Sequence, residues 1–201
     1  SWLDARRLPC IWYQLDEGDG DPATFFYYMG LAAKKAAPRV RRPLPLLTPE
    51  YQFGIPAFSR RFFEELFGRL NSSTVIVLDN YQKVPDGSRL HDVVLQGLSE
   101  VPTGIKVVIV SRSEPPPLFA RMQINKAMET IDWEQLRFTP QETSGAMKLH
   151  SGKALPKEKL QQIYEKTQGW AAGVVLMEAS RARPGEEGEP ATMVPGKLSD
   201  Y

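Results

Sequence analysis

Residues Ser72–Gly87 read SSTVIVLDNYQKVPDG. Val75–Leu78 form an unbroken apolar run rather than an alternating one, which marks a strand covered on both faces, as at the centre of a parallel sheet. The run stops at Asp79–Asn80, and Pro85-Asp86-Gly87 then supply turn chemistry. Ligands of open parallel sheets gather at the carboxyl ends of the strands. Asp79 is therefore a candidate for metal and phosphate chemistry, although the same residue also fits the polar cap of a turn that ends a core strand.

Working outward, Pro9–Asp16 (PCIWYQLD) is rich in β-branched and aromatic residues and reads as a strand. The acidic DEGDGD loop follows. Asp21 and Pro22 then give the cap-plus-first-position signature of a helix that runs to Pro38. A proline-rich crossing leads to IPAFSRRFFEELFGRLN, where Phe58, Phe62, Leu66 and Leu70 recur at helical spacing. Beyond the opening stretch, SRLHDVVLQGLSEVP reads as an amphipathic helix and GIKVVIVSRSEPP as a second buried strand ending at Ser111–Arg112. PPLFARMQI is a short helical piece, and a third core strand is expected near Ala127–Ile131. Three helical patterns then run over Pro140–His150, Pro156–Thr167 and Gly169–Arg183. The order of elements predicts an α/β domain with a parallel sheet over 1–138 and a helical appendage over 139–183. The tail, 184–201, is dense in Gly, Pro and Glu and is expected to be disordered. Ser1–Pro9 (SWLDARRLP) reads as the end of a helix, so a fragment of something longer is expected.

Three strand ends, at Asp16–Asp21, Asp79–Asn80 and Ser111–Arg112, would put carboxylates, an amide and a guanidinium along one sheet edge. That set suits a triphosphate with magnesium, since a strand-end carboxylate holds the metal through water and a fixed arginine recognises the terminal phosphate.

The stretches WYQLDEGDGDPATFFYYMGLA, VIVLDNYQKVPD, VVIVSRSEPPPLFARMQ, LRFTPQET and YEKTQGWAAGVVLM occur in this order. Together they resemble the nucleotide-binding module of the STAND signalling ATPases, specifically the MalT-like (LuxR-type large ATP-binding) transcriptional regulators. The resemblance covers about Ile11 to Met177. It implies a P-loop NTPase-like (STAND/NB-ARC-like) core, here without its first strand and phosphate loop, acting as an ATP/ADP switch in a bacterial regulator. Asp79 matches the Walker B acid that orders magnesium, and Arg112 the sensor arginine on the terminal phosphate. Asn80 stands at the water-polarising position, where the family usually has a second acid. An amide cannot serve as a base, so hydrolysis is expected to be slow or absent. Gly169 and Trp170, in TQGWAAG, match a segment near the nucleotide base, with Ala171 where relatives often have proline. No G-x-x-x-x-G-K-[ST] occurs in these residues, so this chain is expected to bind ATP or ADP weakly or not at all, and the parent protein to bind it with magnesium. DNA would be contacted only by a C-terminal domain outside this sequence. In this superfamily the strand before the phosphate loop lies between those matching Lys106–Ser111 and Ala127–Ile131. Its loss implies that these two pair directly, that the fragment rearranges, or that the exposed edges draw a strand from another copy.

Other readings stand beside these. Arg112 also fits an ion pair with Glu114. DEGDGD lacks a calcium-loop pattern and fits a solvated loop capping the next helix. His91 and His150 have no ligand at metal spacing. Cys10, the single cysteine, fits a buried inert thiol. Phe25, Phe26, Tyr28, Phe58, Phe62, Phe63 and Phe67 fit a core stripe. A net charge of +1 gives no global field toward nucleic acid or anionic lipid. With no apolar run of about 20 residues and no signal peptide, a cytoplasmic location is the expectation. The competing function class is a non-catalytic scaffold or protein-interaction domain that keeps the sheet and has lost nucleotide chemistry.

Overall fold

The computed structural model describes residues 2–51, 54–152 and 155–181. These fall into two compact units divided between Met128 and Glu129. The division lies about ten residues before the 138/139 boundary read from the sequence, because Phe138 packs on the core of the helical unit. The expected disordered tail, 184–201, lies outside the described residues.

In the first unit a parallel sheet is built in chain order from β1 (Cys10–Gln14), β2 (Val75–Asp79) and β3 (Lys106–Ile109). Register pairs Ile11 with Ile76 and Ile76 with Val107, and likewise Tyr13 with Leu78 and Leu78 with Ile109. Because side chains alternate along a strand, these residues share one face. That face packs on α2 (Pro22–Ala36), α3 (Ile55–Phe67) and α4 (Leu90–Ser99). A short helix, α1 (Trp2–Ala5), precedes the sheet, and α5 (Ala120–Ile124) follows it. The start of α2 is as the sequence dictates: the Asp21 carboxylate accepts from the backbone N–H groups of Ala23 and Thr24, with Pro22 at the first position. Phe25, Phe26, Phe58, Phe62, Phe63 and Phe67 interlock between α2 and α3. Tyr28 does not join them. It lies on the outer side of α2 and is half exposed.

Three sequence expectations need correction. First, Ala127–Ile131 forms no strand and pairs with nothing as a ladder. The N–H groups of Ala127 and Met128 both turn back to the Met122 carbonyl, at 2.9 and 3.1 Å, behind Lys126 at φ 55°. Those donors close the end of α5 and are lost to a sheet, and Ile131 is exposed. Second, β3 is not buried on both faces and stops at Ile109. Among the described residues its one ladder partner is β2, so it is an edge strand, and Val108 and Val110 are more than 40 % exposed. Third, Cys10 is half-buried rather than buried.

The opposite face of the sheet carries Trp12, Val75, Val77, Asp79 and Val108. Val75 and Val77 are buried there, while Trp12 and Val108 are about half exposed.

The second unit contains α6 (Trp133–Leu136), α7 (Pro140–Ser151), α8 (Lys157–Thr167) and α9 (Ala171–Arg181). Met147, Ile163 and Val174 form its core, with Phe138 against them. Thr139 and Glu142 close a reciprocal capping box at the start of α7. Hydrogen bonds from Thr139, backbone and side chain, hold the Glu142 carboxyl below its ordinary range.

Candidate functional site

The three strand ends share one edge of the sheet, and the loops after them are stitched together. Leu15 donates its N–H to the Asp79 carbonyl (2.9 Å), and Tyr81 to that of Val110 (3.0 Å). Ser88 Oγ donates to the Gly20 carbonyl at 2.7 Å, and Lys83 Nζ stands 3.9 Å from Glu17 Oε1. Gln82 bridges the second and third loops. Its carbonyl accepts from the Arg112 N–H (3.2 Å), and its amide N–H donates to Asn80 Oδ1 (3.4 Å).

Asp79 ends β2 half-buried. Its Oδ1 accepts from the Asn80 N–H at 2.9 Å and its Oδ2 from Trp12 Nε1–H at 3.3 Å. Each carboxylate oxygen thus accepts one N–H and keeps a further lone pair. Asn80 adopts φ 58°, ψ 38°, a left-handed conformation that asparagine tolerates better than most residues. Arg112 is exposed, and among the described residues its side chain makes no hydrogen bond or ion pair, with Glu114 or any other group.

The donor set fits magnesium held through water by one carboxylate. It does not fit a cage of protein ligands, since among the described residues no group of three or more His, Cys, Asp or Glu is placed to hold a metal. The acids after β1 are occupied otherwise. Asp16 accepts from the Gly18 N–H at 2.7 Å, and Asp19 is buried, accepting from Tyr13 Oη–H (2.5 Å) and the Asp16 N–H (2.8 Å). Asp19 thus locks the loop onto β1. Sequence reading assigns this loop to solvent and helix capping. The spacing Asp16-x-x-Asp19, a reciprocal cap, is the signal that could have found the lock. His91 is a satisfied core residue: its Nδ1 accepts from Tyr81 Oη–H (3.0 Å) while Nε2–H donates to the Pro85 carbonyl (3.1 Å). The donor there is fixed by the carbonyl, which can only accept.

Burial, reinforced for Tyr13 by the hydrogen bond to Asp19 and its charge, pushes the phenols of Tyr13 and Tyr81 above the ordinary tyrosine range. Both raised values favour the protonated form in the fold. Their contribution is present below the unfolded value of about 10 and is lost as pH climbs beyond it. Alkaline titration is therefore expected to show two of the seven tyrosines ionising only together with unfolding. Smooth ionisation of all seven ahead of the loss of helical circular dichroism would contradict this.

Gly169 and Trp170 lie in the second unit. Gly169 has φ 80°, and a Cβ there would stand 2.2 Å from the Phe138 carbonyl oxygen. The Gly169 carbonyl accepts from the Phe138 N–H at 2.8 Å. The Trp170 ring lies over Gly173, where a Cβ would meet its Cε3 at 2.8 Å. Within this unit the GWAAG stretch is thus a packing joint between the chain entering α7 and the start of α9.

No family model matches the chain. It is similar to curated proteins named HTH-type transcriptional regulator MalT. The identity is 25% over 180 residues for that of Vibrio cholerae, covering 88% of this chain and 19% of the relative. For that of Yersinia enterocolitica it is 22% over 196 residues, 94% and 22% respectively. For that of Cronobacter sakazakii it is 25% over 205 residues, 98% and 22%. The MalT-like resemblance carried by the motifs therefore extends along most of this chain, which spans about a fifth of the length of the curated relatives it matches. Among the described residues no helix is long and apolar enough to cross a membrane.

Proposed function

We propose that this chain is part of a nucleotide-controlled switch in a transcriptional regulator, with ATP or ADP and magnesium engaged at the sheet edge. Asp79 orders the magnesium through water, Arg112 meets the terminal phosphate, and Asn80, unable to take a proton from water, keeps turnover slow. One observation carries the reading: a strand-end carboxylate and a guanidinium that is unpaired among the described residues follow adjacent parallel strands whose loops are tied by Gln82. The names of the relatives support the regulatory setting, and DNA contact would fall to another part of such a protein. A cytoplasmic location belongs to this reading. Among the described residues the outer edge of β3 has no strand partner, and it offers a surface for self-association.

The second reading, a scaffold or protein-interaction domain without nucleotide chemistry, is favoured by the amide Asn80 directly after Asp79, which cannot act as a base. Calorimetric titration of the complete gene product separates the two. Wild type is expected to bind ATP more tightly with magnesium than in chelator, and Asp79→Ala to lose that magnesium-dependent gain, about tenfold or more. Asp79→Asn, which keeps an acceptor for the Asn80 N–H, controls for folding. Equal affinities with and without magnesium in all three proteins would favour the scaffold.

A further inference from the structure

Trp12 is the unexplained member of the sheet face that it shares with Val77 and Asp79. It sits on β1 opposite Val77, two residues before the position paired with Asp79. More than half of it is exposed, an unusual place for the largest apolar side chain. Its one polar atom is nevertheless directed along the face to Asp79 Oδ2, at 3.3 Å. The other carboxylate oxygen is already held by the Asn80 N–H at 2.9 Å. The carboxylate is thereby pinned at both ends, from its own turn and from the neighbouring strand.

We infer that Trp12 is the positioning residue of the Asp79 site, fixing the carboxylate rotamer through its indole N–H so that the free lone pairs of Asp79 meet metal-bound water. The inference rests on the nucleotide reading above and adds the means by which its acid is oriented. A carboxylate fixed by one N–H can still swing its second oxygen. Two donors from different elements remove that freedom, so less ordering entropy is lost when the metal–nucleotide complex binds. Trp12 contacts neither phosphate nor metal in this account and acts through Asp79.

The hydrogen bond is tested first without any ligand. In 1H–15N spectra of the 201-residue chain, the Trp12 indole cross-peak, assigned by its loss in Trp12→Phe, is expected to move upfield in Asp79→Ala while the other indole peaks hold their positions. An unmoved Trp12 peak overturns the inference. The functional consequence is read in the complete gene product. Trp12→Phe keeps an aromatic ring on the face and removes the donor. It is expected to weaken Mg-ATP binding roughly three- to tenfold, the size of one net hydrogen bond, with unchanged affinity for ATP in chelator and an unchanged urea midpoint. Equal losses with and without magnesium would make Trp12 merely structural and overturn the inference. So would Mg-ATP affinity at or above wild type in Trp12→Phe while Asp79→Ala loses it. In that last case the nucleotide reading survives and the role of Trp12 falls. If Asp79→Ala also keeps its magnesium-dependent affinity, the nucleotide reading itself fails and this inference goes with it.

Discussion

Gly169→Ala is expected to destabilise the helical unit by about 2–4 kcal/mol, the sum of a left-handed backbone and a forced overlap. Gly169 holds φ 80°, and the added Cβ would sit 2.2 Å from the Phe138 carbonyl oxygen and 3.1 Å from the Phe138 nitrogen. Both atoms are backbone, so no side-chain rotamer can relieve the overlap. The move open to the chain is to break the 2.8 Å hydrogen bond between Phe138 N–H and the Gly169 carbonyl and lift Phe138 off Met147, Ile163 and Val174. Gly145→Ala, the same change in the same unit, is the natural control. Gly145 lies inside α7, and a Cβ there would have nothing within 4 Å. Alanine should therefore stabilise by roughly 0.5–1 kcal/mol through helix propensity alone. Hydrogen exchange of the α8 and α9 amides reports both. Similar protection in the two variants would show that the turn at Gly169 is not a constrained joint.

Phe26→Ala carries the larger cost, about 3–5 kcal/mol in urea unfolding of the first unit. Phe26 is 1 % exposed and is the hub of the aromatic cluster. Its ring centroid lies 4.7 Å from Phe62, 4.9 Å from Phe58 and 5.8 Å from Phe25. Truncation removes the edge-to-face contacts of several rings together and leaves a void that rings on two helices cannot easily fill. Tyr28, two residues along, is half exposed, and Tyr28→Ala should stay within about 0.5 kcal/mol of wild type. Equal effects at the two positions would mean that α2 is rotated from the face described here.

Sequence reading succeeded where one local rule decided the outcome. The continuous apolar run of β2, the Asp21–Pro22 start of α2 and the helical spacing of α3 each admit one structure, and all three appear. It failed where the answer depended on neighbours. VVIV reads alike in a central strand and in an edge strand, and only the pairing pattern makes Val108 and Val110 solvent-facing. Ala127–Ile131 holds only two β-branched residues, Thr130 and Ile131, and its first donors are drawn back to Met122 by a turn no strand rule sees. The candidate site divides in the same way. The place of Asp79 at the end of β2 was legible because the apolar run marks it, whereas Arg112 lies three residues past the end of β3. Trp12 and Gln82 were not legible, since their partners are set by parallel register and loop crossings rather than by nearby sequence; Asp19 was missed although its partners are local.

Val77 is buried between register partners on the two outer strands, Trp12 and Val108, that are themselves about half exposed. Polar replacements at Trp12 or Val108, the usual remedy for a greasy protein surface, would let water reach the middle strand and soften the platform on which Asp79 is mounted. Solubility and stiffness are therefore opposed demands on the same few side chains, and an engineer improving one should expect to lose some of the other.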